Sequence, residues 1–117
     1  MIVRTWRCQA LADRADAYHA YLTGTVFRSL DDIDGHRGAY LLRRDLDGES
    51  AGQVEFQAIT FWDSVEAIKQ YAGEEIGVAV VKPEAKAMLS DFDRFVHHYT
   101  LIHDTVRDGG GSFHPPL

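Results

Sequence analysis

The alternation over residues 52–62 constrains the fold more than any other stretch of this chain. Val54, Phe56, Ala58, Thr60 and Trp62 fall on one face of an extended strand, and Glu55, Gln57, Ile59 and Phe61 on the other, because successive strand side chains point to opposite sides. The even face reads as core. The odd face begins polar and ends apolar, which suits a surface that a partner partly covers. A second strand candidate, residues 37–46, precedes it across DGES. The Asp47-Gly48 pair there suits a hairpin turn, so the two strands are expected to be antiparallel neighbours.

The same two-residue period occupies residues 1–9, where Ile2, Arg4, Trp6 and Cys8 share one face and Val3, Thr5, Arg7 and Gln9 the other. From Asp13 the period lengthens. Ala15, Tyr18, Leu22, Val26 and Leu30 recur every three or four residues, the stripe of an amphipathic helix. Asp13 is expected as its N-cap, with Asp16 in the first turn. Gly24 weakens the middle of this helix, and DDIDGHRG ends it.

Beyond the hairpin, Asp63-Ser-Val-Glu66 has the form of a capping box before a stripe of Val65, Ile68, Tyr71 and Ala72 that breaks at Gly73. Pro83 suits the first position of a further short helix, with Ala85, Met88, Leu89 and Phe92 inward. Residues 94–102 form the expected final strand. The domain is thus expected over residues 1–104, followed by a flexible tail, 105–117, rich in glycine and proline. GGGS in that tail lacks the strand, the helix and the lysine of a phosphate loop.

This order predicts an α+β, ferredoxin-like βαββαβ fold in which helices cover one face of an antiparallel four-stranded sheet. The other face, carrying Val3, Ile59 and Phe61, is expected to find cover on a symmetric copy, giving a homodimer. One domain suits 117 residues. The 18 acidic residues outnumber 12 basic ones and no basic run exceeds Arg43-Arg44, so neither nucleic acid nor an anionic membrane is an expected partner. No apolar stretch approaches the ~20 residues of a membrane span, and the first residues lack the apolar core of a signal peptide. The expected compartment is the cytoplasm and the expected partners are a small molecule and a second copy. A single cysteine, Cys8, excludes an intrachain disulfide or a two-cysteine zinc or redox motif.

ITFWDSVEAIKQYAGEE, followed after a short segment by PEAKAMLSDFDRFVHHYTL, resembles the antibiotic biosynthesis monooxygenase family of dimeric α/β-barrel proteins. The features that carry the resemblance are Trp62 at a strand end, Ser64 opening a helix, and the His98-Tyr99 pair on the closing strand. The resemblance implies a dimeric α/β barrel. It also implies a cofactor-independent monooxygenase, with no cofactor expected, acting on a small planar aromatic substrate of phenolic or quinone type. A haem-degrading branch uses Asn, Trp and His at places filled here by Trp6, Tyr71 and Val81, so its axial histidine is missing. Two alternatives stay open: a non-catalytic small-molecule-binding dimer of the same fold, and a haem-binding protein with His98 as an unconventional ligand.

The candidate catalytic residues are Arg4, His98 and His19. Arg4 and Trp6 point the same way, roughly 7 Å apart along the strand. Arg4 either binds a substrate oxyanion or pairs with a helix carboxylate at the rim. His19, beside the helical stripe, either faces a cleft as a proton acceptor or marks the core boundary. His97 and His98 face opposite sides of their strand, which excludes joint chelation of one ion; no metal site is expected. Trp6, Tyr71 and Trp62 are candidate substrate-binding residues, within an aromatic set that includes Tyr18 and Tyr21. The alternative for that set is plain core.

Overall fold

The computed structural model describes residues 1–105; from residue 106 on, the expected tail lies outside the described residues. Strand β1 (Ile2–Leu11) leads into helix α1 (Ala12–Tyr21), which continues through a π-helical stretch (Leu22–Val26) into α2 (Phe27–Leu30). Strands β2 (His36–Asp45) and β3 (Gln53–Trp62) form the hairpin, and α3 (Val65–Ala72) and α4 (Pro83–Met88) follow. Two short strands, β4 (Asp91–Phe92) and β5 (His97–Thr100), close the domain.

The sheet order is β2-β3-β1, with β4 and β5 both on the outer edge of β1. All pairings are antiparallel, and β1 and β3 are in register from Ile2 opposite Trp62 to Leu11 opposite Gln53. This is the expected ferredoxin-like arrangement, with a difference at its closing edge. The expected final strand, residues 94–102, is confined to His97–Thr100, and the helix expected to carry Phe92 ends at Met88, leaving Asp91–Phe92 as a separate short strand; residues 94–96 turn their hydrogen bonds away from β1. Ala79 N donates to Arg94 O and Val96 N donates to Gly77 O, both at 2.9 Å, so this segment bridges to residues 77–79.

Three local readings shift in the structure. Helix α1 has Leu11, not Asp13, at its N-cap and no side-chain cap; Ala12 N instead donates to Gly52 O at 2.9 Å, so the hairpin loop takes up a donor that a side chain would otherwise satisfy. Ser64 caps α3 by accepting from Ala67 N at 3.2 Å, one residue later than the expected box. Asp63 is drawn off by Arg37, 2.6 Å away. The loop after β2 is not a two-residue turn. It carries a 3-10 turn (Gly48–Ser50) and closes through Leu46 N to Gln53 O.

The π-helical stretch has a physical reason in the sequence. Tyr18, Leu22, Val26 and Leu30 follow one another at four-residue steps, which in an α-helix drift about 40° per step. A wider turn between Leu22 and Val26 takes up that drift and keeps Leu22 and Leu30 on the sheet side, both buried. The helix-covered face is packed at its two ends. One cluster holds Cys8, Ala10, Ala15, Tyr18, Val54 and Phe56, with the Tyr18 and Phe56 rings 5.2 Å apart. The other holds Leu30, Trp62, Ala67 and Ile68. Between them β3 presents only Ala58 and Thr60, opposite Trp6 and Arg4, and these small residues leave room above the sheet.

No helix among the described residues covers the opposite face. Its apolar end carries Val3, Ile59 and Phe61, with Tyr40 edge-on to Phe61 at 5.6 Å and the exposed Leu42 and Tyr99 beside them. Its polar end holds Glu55 between Arg7 and Arg44 at 2.8 and 2.9 Å, with Arg7 also hydrogen-bonded to Gln9. These partners hold the Glu55 carboxyl below its usual range, the bond from Arg44 contributing most.

Candidate functional site

The room between the two core clusters is a cavity of about 150 Å³. Its floor is Arg4, Trp6, Ala58, Thr60 and Trp62 from the sheet. Tyr18, Leu22, Val26 and Leu30 wall it from the first helix, and Tyr71 of α3 closes one side. It opens between Thr25 and Ser29 on one rim and Val80, Lys82 and Glu84 on the other, all exposed.

Arg4 is the buried charge of this site, 6% exposed. Among the described residues it has no carboxylate within ion-pair distance. Its Nη1 donates to Ile76 O at 2.6 Å and lies 2.9 Å from His98 Nε2. A guanidinium only donates, so Nε2 accepts and the ring proton of His98 sits on Nδ1. Burial lowers the Arg4 pKa from its ordinary value, with the nearby Tyr71 acting in the opposite sense. Burial likewise lowers that of His98, reinforced by Arg4 and then His97, so the imidazole is neutral near pH 7. The Tyr71 hydroxyl is raised by burial and partly brought back by Arg4.

The two indole N–H groups and the Tyr18 hydroxyl are already engaged. Trp6 Nε1 donates to Asp93 O at 2.7 Å and Trp62 Nε1 to Thr60 Oγ1 at 2.8 Å. The Tyr18 hydroxyl is paired with the Cys8 thiol, whose pKa burial pushes up to about 11. A buried thiol held neutral is a core group and a poor nucleophile. Tyr71 makes no hydrogen bond among the described residues. The donors left to a ligand are therefore the remaining N–H groups of Arg4 and the Thr60 O–H on the floor, since Thr60 only accepts from Trp62, and the Tyr71 hydroxyl at the side.

Four of the six residues singled out in the sequence, Arg4, Trp6, Tyr71 and Trp62, line one cavity. His98 stands behind Arg4 rather than in the lining, on the helix side of the sheet opposite Arg4, while His97 is on the open face. His19 is exposed on the outer side of α1 and does not reach the cavity. The expected alternative of a helix carboxylate for Arg4 is replaced by a backbone carbonyl and a histidine. The Ile76 carbonyl carried no sequence signal, since any residue supplies one. Lys82 and Glu84 at the mouth were not singled out in the sequence.

The residues present do not suit haem. No histidine lines the cavity among the described residues, the Nε2 of His98 is turned to Arg4, and the volume is far below that of a porphyrin. No group of three or more His, Cys, Asp or Glu side chains is gathered for a metal ion among the described residues. No helix among them is long and apolar enough to cross a membrane.

No family model and no curated protein matches the sequence. Solved structures do. A Bacillus cereus protein assigned to the antibiotic biosynthesis monooxygenases superposes with a TM-score of 0.62 at 16% identity, over 92% of this chain and 97% of that one. A Deinococcus radiodurans protein of the same assignment gives a TM-score of 0.58 at 16% identity, over 93% of this chain and 100% of that one. The haem degrader MhuD of Mycobacterium tuberculosis, solved with two haems in its active site, gives 0.58 at 16% identity, over 91% of this chain and 100% of that one. At such identities the likeness is one of fold, and this chain has the α+β, ferredoxin-like fold of the antibiotic biosynthesis monooxygenases.

Proposed function

We propose that the protein is a cofactor-independent monooxygenase of small planar phenolic or quinol-type substrates, working as a homodimer in the cytoplasm. The observation that carries this reading is Arg4, a buried guanidinium on the floor of an aromatic-walled cavity, without a carboxylate partner among the described residues. Such a charge is costly unless something compensates it, and a substrate oxyanion is the natural complement. Arg4 and Tyr71 hold the phenolic oxygen as its anion, and Trp6 and Trp62 wall the ring. His98 and the Ile76 carbonyl keep Arg4 aimed.

With the phenolic proton gone, electron density reaches an activated ring or benzylic carbon, where dioxygen adds. Collapse of the peroxide leaves one oxygen in the product as a carbonyl and releases the other as water, whose hydrogens are the phenolic proton and the single hydrogen of an oxidised ring carbon, or two hydrogens of an oxidised benzylic carbon. The apolar lining keeps bulk water from the carbanion.

The second reading, a non-catalytic small-molecule-binding dimer, is favoured by one observation: among the described residues no histidine faces the cavity to act as base. The two separate on turnover. Oxygen uptake by the purified protein, without added metal or flavin, is measured over hydroquinones and anthrones with Arg4→Ala as control. Uptake that the variant loses supports the oxygenase. No uptake on any compound leaves the binder.

A further inference from the structure

We infer that the ligand of this cavity is a single aromatic ring bearing one anionic oxygen substituent, rather than a fused polycycle. The inference rests on the reading of Arg4 as an oxyanion site and narrows the substrate to its class.

The first ground is volume. An apolar cavity of roughly 150 Å³ is the size that holds one benzene ring, and this one measures about 150 Å³. The walls that limit it belong to packed core: Tyr18 against Phe56 at one end, Trp62 and Leu30 at the other. A second fused ring has to displace buried side chains or lie outside the mouth in water.

The second ground is the hydrogen-bonding inventory. The indole N–H groups of Trp6 and Trp62 and the Tyr18 hydroxyl are already paired inside the protein. Arg4 and the Thr60 O–H on the floor and the neighbouring Tyr71 hydroxyl remain as donors. A ligand that matches them presents one acceptor, best a charged one, and apolar carbon elsewhere. A quinol with polar groups at both ends meets its second partner only at the mouth, where Lys82 and Glu84 stand.

The test is calorimetric titration of the full-length protein with benzoate, 2-naphthoate and anthracene-2-carboxylate, which keep the anion and enlarge the ring system. Benzoate is expected to bind at least tenfold more tightly than either larger acid, against the ordinary trend of affinity rising with apolar area. Benzyl alcohol, the neutral single ring, is expected to bind at least tenfold more weakly than benzoate. Tyr71→Phe, which leaves Arg4 in place, is expected to weaken benzoate. Tighter binding of the larger acids, or no binding of benzoate, overturns the inference. Benzoate binding in a protein that consumes no oxygen on any phenol refutes the oxygenase and leaves the ligand class standing. Uptake with anthrones but not with single-ring quinols does the reverse.

Discussion

Arg4 and His98 meet across paired strands with a guanidinium nitrogen 2.9 Å from His98 Nε2, in a place where no carboxylate among the described residues balances the charge. That contact needs a neutral imidazole. Because the folded His98 pKa lies below its ordinary value of 6.5, the unfolded chain takes up this proton more readily. The stability that neutral His98 contributes is present above about pH 6.5 and is lost as pH falls through the folded value. The urea midpoint is expected to drop between pH 7.5 and 5. It should drop less in His98→Gln, which keeps an acceptor for Arg4 but does not titrate. His36, also lowered by burial, leaves a residual slope. An equal drop in both proteins contradicts the assignment.

Tyr71→Phe removes a hydroxyl that has no partner among the described residues, so the unfolding free energy is expected to change by less than about 0.5 kcal/mol. Affinity for an anionic aromatic ligand should fall roughly tenfold or more, the worth of a hydrogen bond to a charged group. A large stability loss with unchanged affinity would place the hydroxyl in the core instead of the site.

Two glycines separate helix plasticity from steric need. A methyl group at Gly24 meets nothing within 4 Å, so Gly24→Ala is expected to stabilise by up to about 1 kcal/mol. Gly35 has φ +91°, and a Cβ there would sit 2.8 Å from Ala67 Cβ. Gly35→Ala is expected to cost more than about 1 kcal/mol. Chemical denaturation of both variants reads the opposite signs directly.

The open sheet face makes the dimer testable. Tyr99 is 58% exposed beside Val3, so Tyr99→Glu has little core to disturb in a single chain. The native protein is expected to sediment as a dimer and Tyr99→Glu as a folded monomer. A monomeric native protein contradicts the proposed assembly.

Much of this was legible in the residues. The alternation of β1 and β3 assigned both sheet faces correctly, because a period of two leaves only one register that buries Phe56 and Trp62. The same periodicity put Arg4 and Trp6 on the cavity side. It did not separate His97 from His98, since their strand is apolar on both faces and pairing with β1 decides. The cap of α1 was misread because its first N–H is satisfied by Gly52 O, a contact 40 positions away. The late start of the final strand depends on residues 77–79, whose bridging to 94–96 leaves no mark in composition. The cavity arises from Ala58 and Thr60 being small between two filled ends, and small size alone announces nothing.

The most direct measurement is the ionisation of a bound phenol. The visible spectrum of 4-nitrophenol, titrated against pH with and without saturating protein, reports whether the ring binds as phenol or phenolate. Binding is expected to shift its apparent pKa downward, and Arg4→Ala is expected to abolish the shift. An unchanged or raised pKa in the native protein, or an equal shift in the variant, contradicts an oxyanion site at Arg4.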